Sequence, residues 1–187
     1  MTIDYSNFKR AKSNRINTHN TMAIPRIEPL DWINSHIELS FSEDEIMAVR
    51  DFTLMWNLFE RFACNRNFSE HAIRDKITTY NINSVLFTEH LEYFTERYVL
   101  NNRANYHFDS LFNGQTNASR ELVHQVLSGT NLNSDDIVVA CIIISYRFRN
   151  NLFHGNKEIR LIHHQRNNLN VAISVMALFL DNIDIVL

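Results

Sequence analysis

The sequence predicts a single all-α domain, an antiparallel helical bundle, entered through a flexible basic arm. Three observations predict it. Both prolines, Pro25 and Pro29, fall in the first thirty residues and none follows. The chain has only 3 glycines, few for the many tight turns of an α/β sheet fold. Apolar residues return at spacings of three and four over most of the body. A length of 187 residues with 45% hydrophobic content suits one well-buried core and is short for two domains.

Residues 1–25 are polar and aperiodic and read as the arm; residues 26–187 read as the domain. Pro25 to Ser40 reads as a connecting segment laid against it. Ser42-Glu43-Asp44-Glu45 is a capping box, followed by Ile46, Val49, Phe52, Trp56, Phe59 and Ala63, so a helix runs from there to about Cys64. A weaker helix is expected over Arg66 to Tyr80 and a firmer one over Ser84 to Leu100. Asn101 to Thr116 is polar and aromatic and reads as a long connection. Ser119 to Leu127 reads as a short helix stopped at Gly129, which suits a left-handed cap. Ser134, with Asp135 and Asp136, opens the next helix as its N-cap. That helix carries Ile137, Cys141, Ile144, Phe148 and Leu152 and extends to His154. Its β-branched run also fits a buried strand by periodicity, but length and continuation favour helix. A last helix, about Ile159 to Asp181, buries Leu169, Ala172, Ile173, Met176 and Phe179. The short link between the last two predicts an antiparallel hairpin.

The net charge of −3 hides a division along the chain. Residues 1–26 carry Lys9, Arg10, Lys12, Arg15 and Arg26 against Asp4, a balance of +4. Residues 146–166 carry Arg147, Arg149, Lys157, Arg160 and Arg166 against Glu158, again +4. Local potential governs attraction to a polyanion more than net charge does. No apolar run approaches the roughly 20 residues needed to span a bilayer, and no signal-peptide pattern is present, so a cytoplasmic protein without a membrane partner is expected. Cys64 and Cys141 sit in apolar helical patterns and read as reduced core thiols.

Chemistry concentrates in Arg149-Asn150-Asn151-Leu152-Phe153-His154-Gly155. Arginine grips phosphate through two parallel hydrogen bonds, and histidine moves protons near neutral pH. Asn150 and His154 are four apart and share a helix face, whereas Arg149 lies about 140° from His154 on an ideal helix. Arg147, seven residues before His154, is nearly aligned with it, so two arginines compete for one role. His154 near a helix end gains from the carbonyl dipoles while the arginines oppose its protonation.

The segment Tyr146 to Lys157 resembles the signature of the HEPN superfamily, in which an arginine, a polar residue and a histidine four to six positions on mark the active site. The wording is closest to the plasmid-borne and Apea-like branches, and the resemblance covers the final hairpin; earlier helices match in order and character. It implies an all-α bundle that dimerises through the motif helices and cuts RNA without a metal or other cofactor, leaving a 2′,3′-cyclic phosphate. Carried over, Arg149 is the motif arginine, Asn150 the polar residue and His154 the motif histidine; Arg147 satisfies the looser spacing. Members paired with a nucleotidyltransferase antitoxin carry a tyrosine two residues after the histidine, where this chain has Asn156. The resemblance implies a toxin or antiviral defence effector, with an antitoxin or regulatory protein as a further partner. Its alternative is a silent RNA- or protein-binding dimerisation module.

Other residues enter as accessories. Glu60 is a candidate for a hydrogen-bond network beneath the motif, its plainer reading being an exposed carboxylate. Lys157, Arg160, His163, His164 and Arg166 are candidate RNA contacts, set against a solvated basic face. Glu121 and His124 have the carboxylate-to-histidine spacing of di-iron bundles, but one such pair is too few, so no metal site is expected. Tyr146, Phe148 and Phe153 suit base stacking or, more often at helical spacing, core contacts.

Overall fold

The computed structural model describes residues 27–37, 40–153 and 165–185. The predicted arm, His154 and Lys157 to His164 lie outside them. Among the described residues eight α-helices, one short 3-10 helix and a two-residue ribbon make up the fold.

The connecting segment contains a helix, α1 (Pro29–His36), where a sequence-based reading expects only a link. Pro29 at its first turn costs no hydrogen bond, because that N–H has no partner in a helix anyway. α1 buries none of its residues and is tied on by Asn34, whose amide donates to the Phe41 carbonyl at 3.1 Å and accepts from the Phe41 N–H at 2.9 Å.

α2 (Glu43–Ala63) starts at the expected box: the Ser42 hydroxyl accepts from the Glu45 N–H, and the Glu45 carboxylate accepts from the Ser42 N–H at 2.8 Å. Its buried residues, Ala48, Phe52, Trp56, Phe59 and Ala63, follow the predicted stripe. α3 (Glu70–Tyr80) begins four residues later than its pattern suggests. Asn65 and Arg66 take left-handed φ values of 50° and 78°, which break the helix, and Ser69 re-caps the chain.

The stretch read as one helix over Ser84 to Leu100 is a 3-10 turn (Ser84–Phe87) leading into α4 (Thr88–Tyr98). Beyond it the chain forms a hairpin, not a loose connection. β1 (Val99–Leu100) pairs antiparallel with β2 (Arg103–Ala104) around Asn101 and Asn102, both left-handed. Two left-handed residues in succession are what a two-residue hairpin turn needs, and asparagine tolerates them. α5 (Tyr106–Leu111) follows, capped by Asn105. α6 (Ala118–Leu127) is capped by Asn117 and stopped before Gly129, whose φ of 73° matches the expected left-handed turn.

α7 (Ser134–Phe153) is the centre of the molecule. Asn133, one residue before the expected cap, accepts the Asp136 N–H at 3.0 Å, so Ser134 already lies within the helix. Every residue from Val138 to Ser145 is buried, and α3, α4, α5, α6 and α8 (Arg166–Asp181) all pack on it. A helix apolar on all sides is one enclosed on all sides, which explains a β-branched run that mimics a buried strand.

α2 packs along α8. Arg166 pairs with Asp44 near their starts at 3.1 Å, and Phe59 meets Phe179 edge-on at 5.5 Å near their ends, so the two run parallel. No helix of the described residues is long and apolar enough to cross a membrane. Cys64 and Cys141 are buried free thiols, as the sequence predicts. Burial pushes them up to about 11 and about 12 respectively.

Candidate active site

The last two turns of α7 carry the motif, and two kinds of contact hold them. The first is aromatic. Tyr146 stacks on Phe68 at 3.9 Å and lies 5.8 Å from Trp56, which fixes the α2–α3 loop against the motif helix. Phe148 is buried 6.3 Å from Phe94. These two rings serve the core, whereas Phe153, 51% exposed, is the one of the three candidates open to a base.

The second is polar and grips the turn between α5 and α6. Arg147 donates from Nε to the Leu111 carbonyl at 3.3 Å and from a terminal nitrogen to the Gln115 side-chain oxygen at 3.4 Å, with its guanidinium 5.2 Å from the centre of the Phe112 ring. Asn151, one turn further on the same face, donates to that Leu111 carbonyl at 3.0 Å and accepts from the Asn113 amide at 2.9 Å. Burial lowers the Arg147 pKa, against an opposing effect of Tyr146; a guanidinium stays charged near neutral pH regardless.

Arg149 is placed differently. Two residues on an ideal helix subtend about 200°, which turns it away from the α5–α6 turn that Arg147 grips. It lies over the Phe153 ring at 5.4 Å and donates to the Asn150 side-chain oxygen at 3.1 Å. Its Nε is buried and has no hydrogen-bond partner among the described residues. Among the described residues no carboxylate pairs with Arg147 or Arg149. An unneutralised guanidinium beside an exposed aromatic ring is equipped to receive an anion.

The structure therefore joins Arg149 to Asn150 by a hydrogen bond and turns Arg149 away from Arg147. His154, Lys157, Arg160, His163 and His164 lie outside the described residues. Arg166 is described and pairs with Asp44. The Glu60 backbone carbonyl accepts the Arg66 N–H at 2.9 Å, and its half-buried carboxylate has no hydrogen bond or ion pair among the described residues. Glu121 accepts from Gln125 at 2.8 Å, while the His124 ring lies 5.8 Å from that of Phe108. No three His, Cys, Asp or Glu side chains of the described residues gather to hold a metal.

Sequence reasoning missed the buried amides. Asn151 pins the end of α7. Asn168 pins the start of α8, accepting from the Tyr93 hydroxyl at 2.7 Å and donating to Gln165 at 2.8 Å. Register alone offered a signal for Asn151, which stands three and seven residues after the core residues Phe148 and Ile144 and so falls on the buried face. No protein-family model, curated protein or solved structure matches the chain.

Proposed function

We propose that the chain is a metal-independent endoribonuclease of the HEPN type, with Arg149, Asn150 and His154 as its catalytic group. The observation that carries the reading is the Arg149–Asn150 pair at the end of α7, uncompensated by any carboxylate of the described residues and directly preceding the segment that holds His154. The motif's resemblance to HEPN signatures supplies the reaction type. In it, His154 takes the proton of a ribose 2′-hydroxyl, and the oxygen attacks the adjacent phosphorus. Arg149 neutralises the charge that builds on the phosphorane oxygens. The P–O5′ bond breaks, the leaving oxygen takes a proton, and a 2′,3′-cyclic phosphate and a 5′-hydroxyl remain. One histidine serves both proton transfers poorly, so the active species is a homodimer in which the second copy supplies the acid. A cytoplasmic toxin or antiviral defence effector, held by an antitoxin or regulatory protein, is the setting this chemistry suits.

Arg147 is assigned a positioning role, because its Nε and one terminal nitrogen bond the α5–α6 turn. Cleavage of transfer RNA by Arg149→Ala and Arg147→Ala tests the assignment. Arg149→Ala is expected to lose on the order of 100-fold or more in rate, the scale of removing one donor to a developing oxyanion. Arg147→Ala is expected to lose stability while its folded fraction keeps most activity. The reverse order transfers the catalytic role to Arg147.

A further inference from the structure

A second cationic site lies away from the Arg149–Asn150 pair. A cleft of about 580 Å³ opens between the end of α2, the α2–α3 loop, the outer face of α3 and the chain after α8, and Arg61, Arg66, Lys76, Tyr80 and Asp184 line it. Three cations face one carboxylate. The ion pairs among the described residues all lie elsewhere, so none of the three cations is in one among those residues.

Two of the three cations lie over aromatic rings, and the backbone fixes where the third leaves the chain. The Arg61 guanidinium lies over Phe62 at 5.6 Å and the Lys76 ammonium over Tyr80 at 5.4 Å. Arg66 is delivered by two successive left-handed residues, Asn65 and itself, with its N–H bonded to the Glu60 carbonyl. A φ of 78° is uncommon for a side chain as long as arginine, and backbone held in sparsely populated conformations clusters at binding and switch sites. Like charges brought together around an open, polar cleft repel unless an anion joins them.

The geometry points to a phosphate-binding cleft, with Arg61, Arg66 and Lys76 as its donors, taking the phosphate of a nucleotide unit either along a polynucleotide or in a free mononucleotide. Phosphate suits it better than a carboxylate does. Its oxygens are spread tetrahedrally, two terminal ones in a diester and three in a monoester, so they can accept from donors on more than one side, and Tyr80 offers an aromatic ring to the attached nucleoside. Asp184 tunes the site downward by opposing the charge of the ligand. The cleft stands on its own residues and does not depend on whether the motif cuts RNA.

The test uses the full chain and two probes that cannot be cleaved. One is a fluorescent twelve-nucleotide oligouridylate with 2′-O-methyl groups, read by anisotropy over a salt series; the other is AMP, read by amide chemical shifts. For a polynucleotide ligand, Arg66→Ala/Lys76→Ala weakens the oligonucleotide about tenfold and reduces the slope of log affinity against log salt by about 1 to 2. Asp184→Asn tightens binding, a gain that misfolding does not imitate. Arg66→Lys/Lys76→Arg keeps both charges and retains binding. Saturable AMP shifts at Arg66 and Tyr80 with unchanged oligonucleotide affinity assign the cleft to free nucleotides. Unchanged oligonucleotide affinity and slope in the double variant, together with no AMP shift at these residues, overturn the proposal.

Discussion

Asn151 carries more of the site's architecture than its half-buried neighbour Asn150. Its amide is 2% exposed and meets both Leu111 and Asn113, so Asn151→Ala strips a buried carbonyl of one donor and leaves the Asn113 amide without its acceptor. The expected loss is about 1–3 kcal/mol, read as a lower midpoint in urea with an unchanged slope. Asn150→Ala removes only the local bond to Arg149 and is expected to leave stability within about 0.5 kcal/mol. His90 provides a pH dependence. Its Nε2 lies 2.8 Å from the Ser174 hydroxyl, and burial lowers its pKa below 6.5 despite the nearby Glu89 carboxylate. The unfolded chain therefore binds the proton more readily than the folded one, and the stability is present above pH 6.5 and lost as pH falls below it. Denaturation at pH 7.5 and 5.5 should show a larger acid loss for wild type than for His90→Gln.

Helix boundaries divide into those a local signal decides and those it does not. The start of α2 was legible because Ser42 and Glu45 satisfy each other within four residues. The start of α7 was legible to one residue, and the difference is testable. Asn133→Ala should cost about 0.5–2 kcal/mol as a lost N-cap, and Ser134→Ala much less, by thermal or chemical denaturation. The hairpin after α4 was not legible, because its stretch is polar and aromatic and no glycine marks its turn. Asparagine fills those positions: Asn65, Asn81, Asn101, Asn102 and Asn113 all take positive φ. The choice between Arg147 and Arg149 was beyond the motif for another reason. The group that engages Arg147 is the Leu111 carbonyl, 36 residues earlier, and no spacing rule within α7 reports it.

At the scale of the whole molecule, an α7 enclosed by its neighbours makes the motif's support inseparable from the core. The aromatic contacts Tyr146–Phe68 and Phe94–Phe148 reach from the last turns of α7 into α2–α3 and α4. Cys141, fully buried at the middle of that helix with its thiol pushed up to about 12, should alkylate only on global opening, at a rate that follows the unfolding free energy across a urea series. The helical character was legible from composition and periodicity, but the parallel pairing of α2 with α8 was not, since its ends are joined by Arg166–Asp44 and Phe59–Phe179, contacts between opposite parts of the chain. The ribonuclease reading meets its most direct test in RNA incubated with purified wild type and His154→Ala in EDTA, with the fragment ends analysed. Wild type alone is expected to release fragments ending in 2′,3′-cyclic phosphate. Intact RNA in both, with salt-sensitive RNA binding that survives His154→Ala, would contradict it and favour a silent binding module.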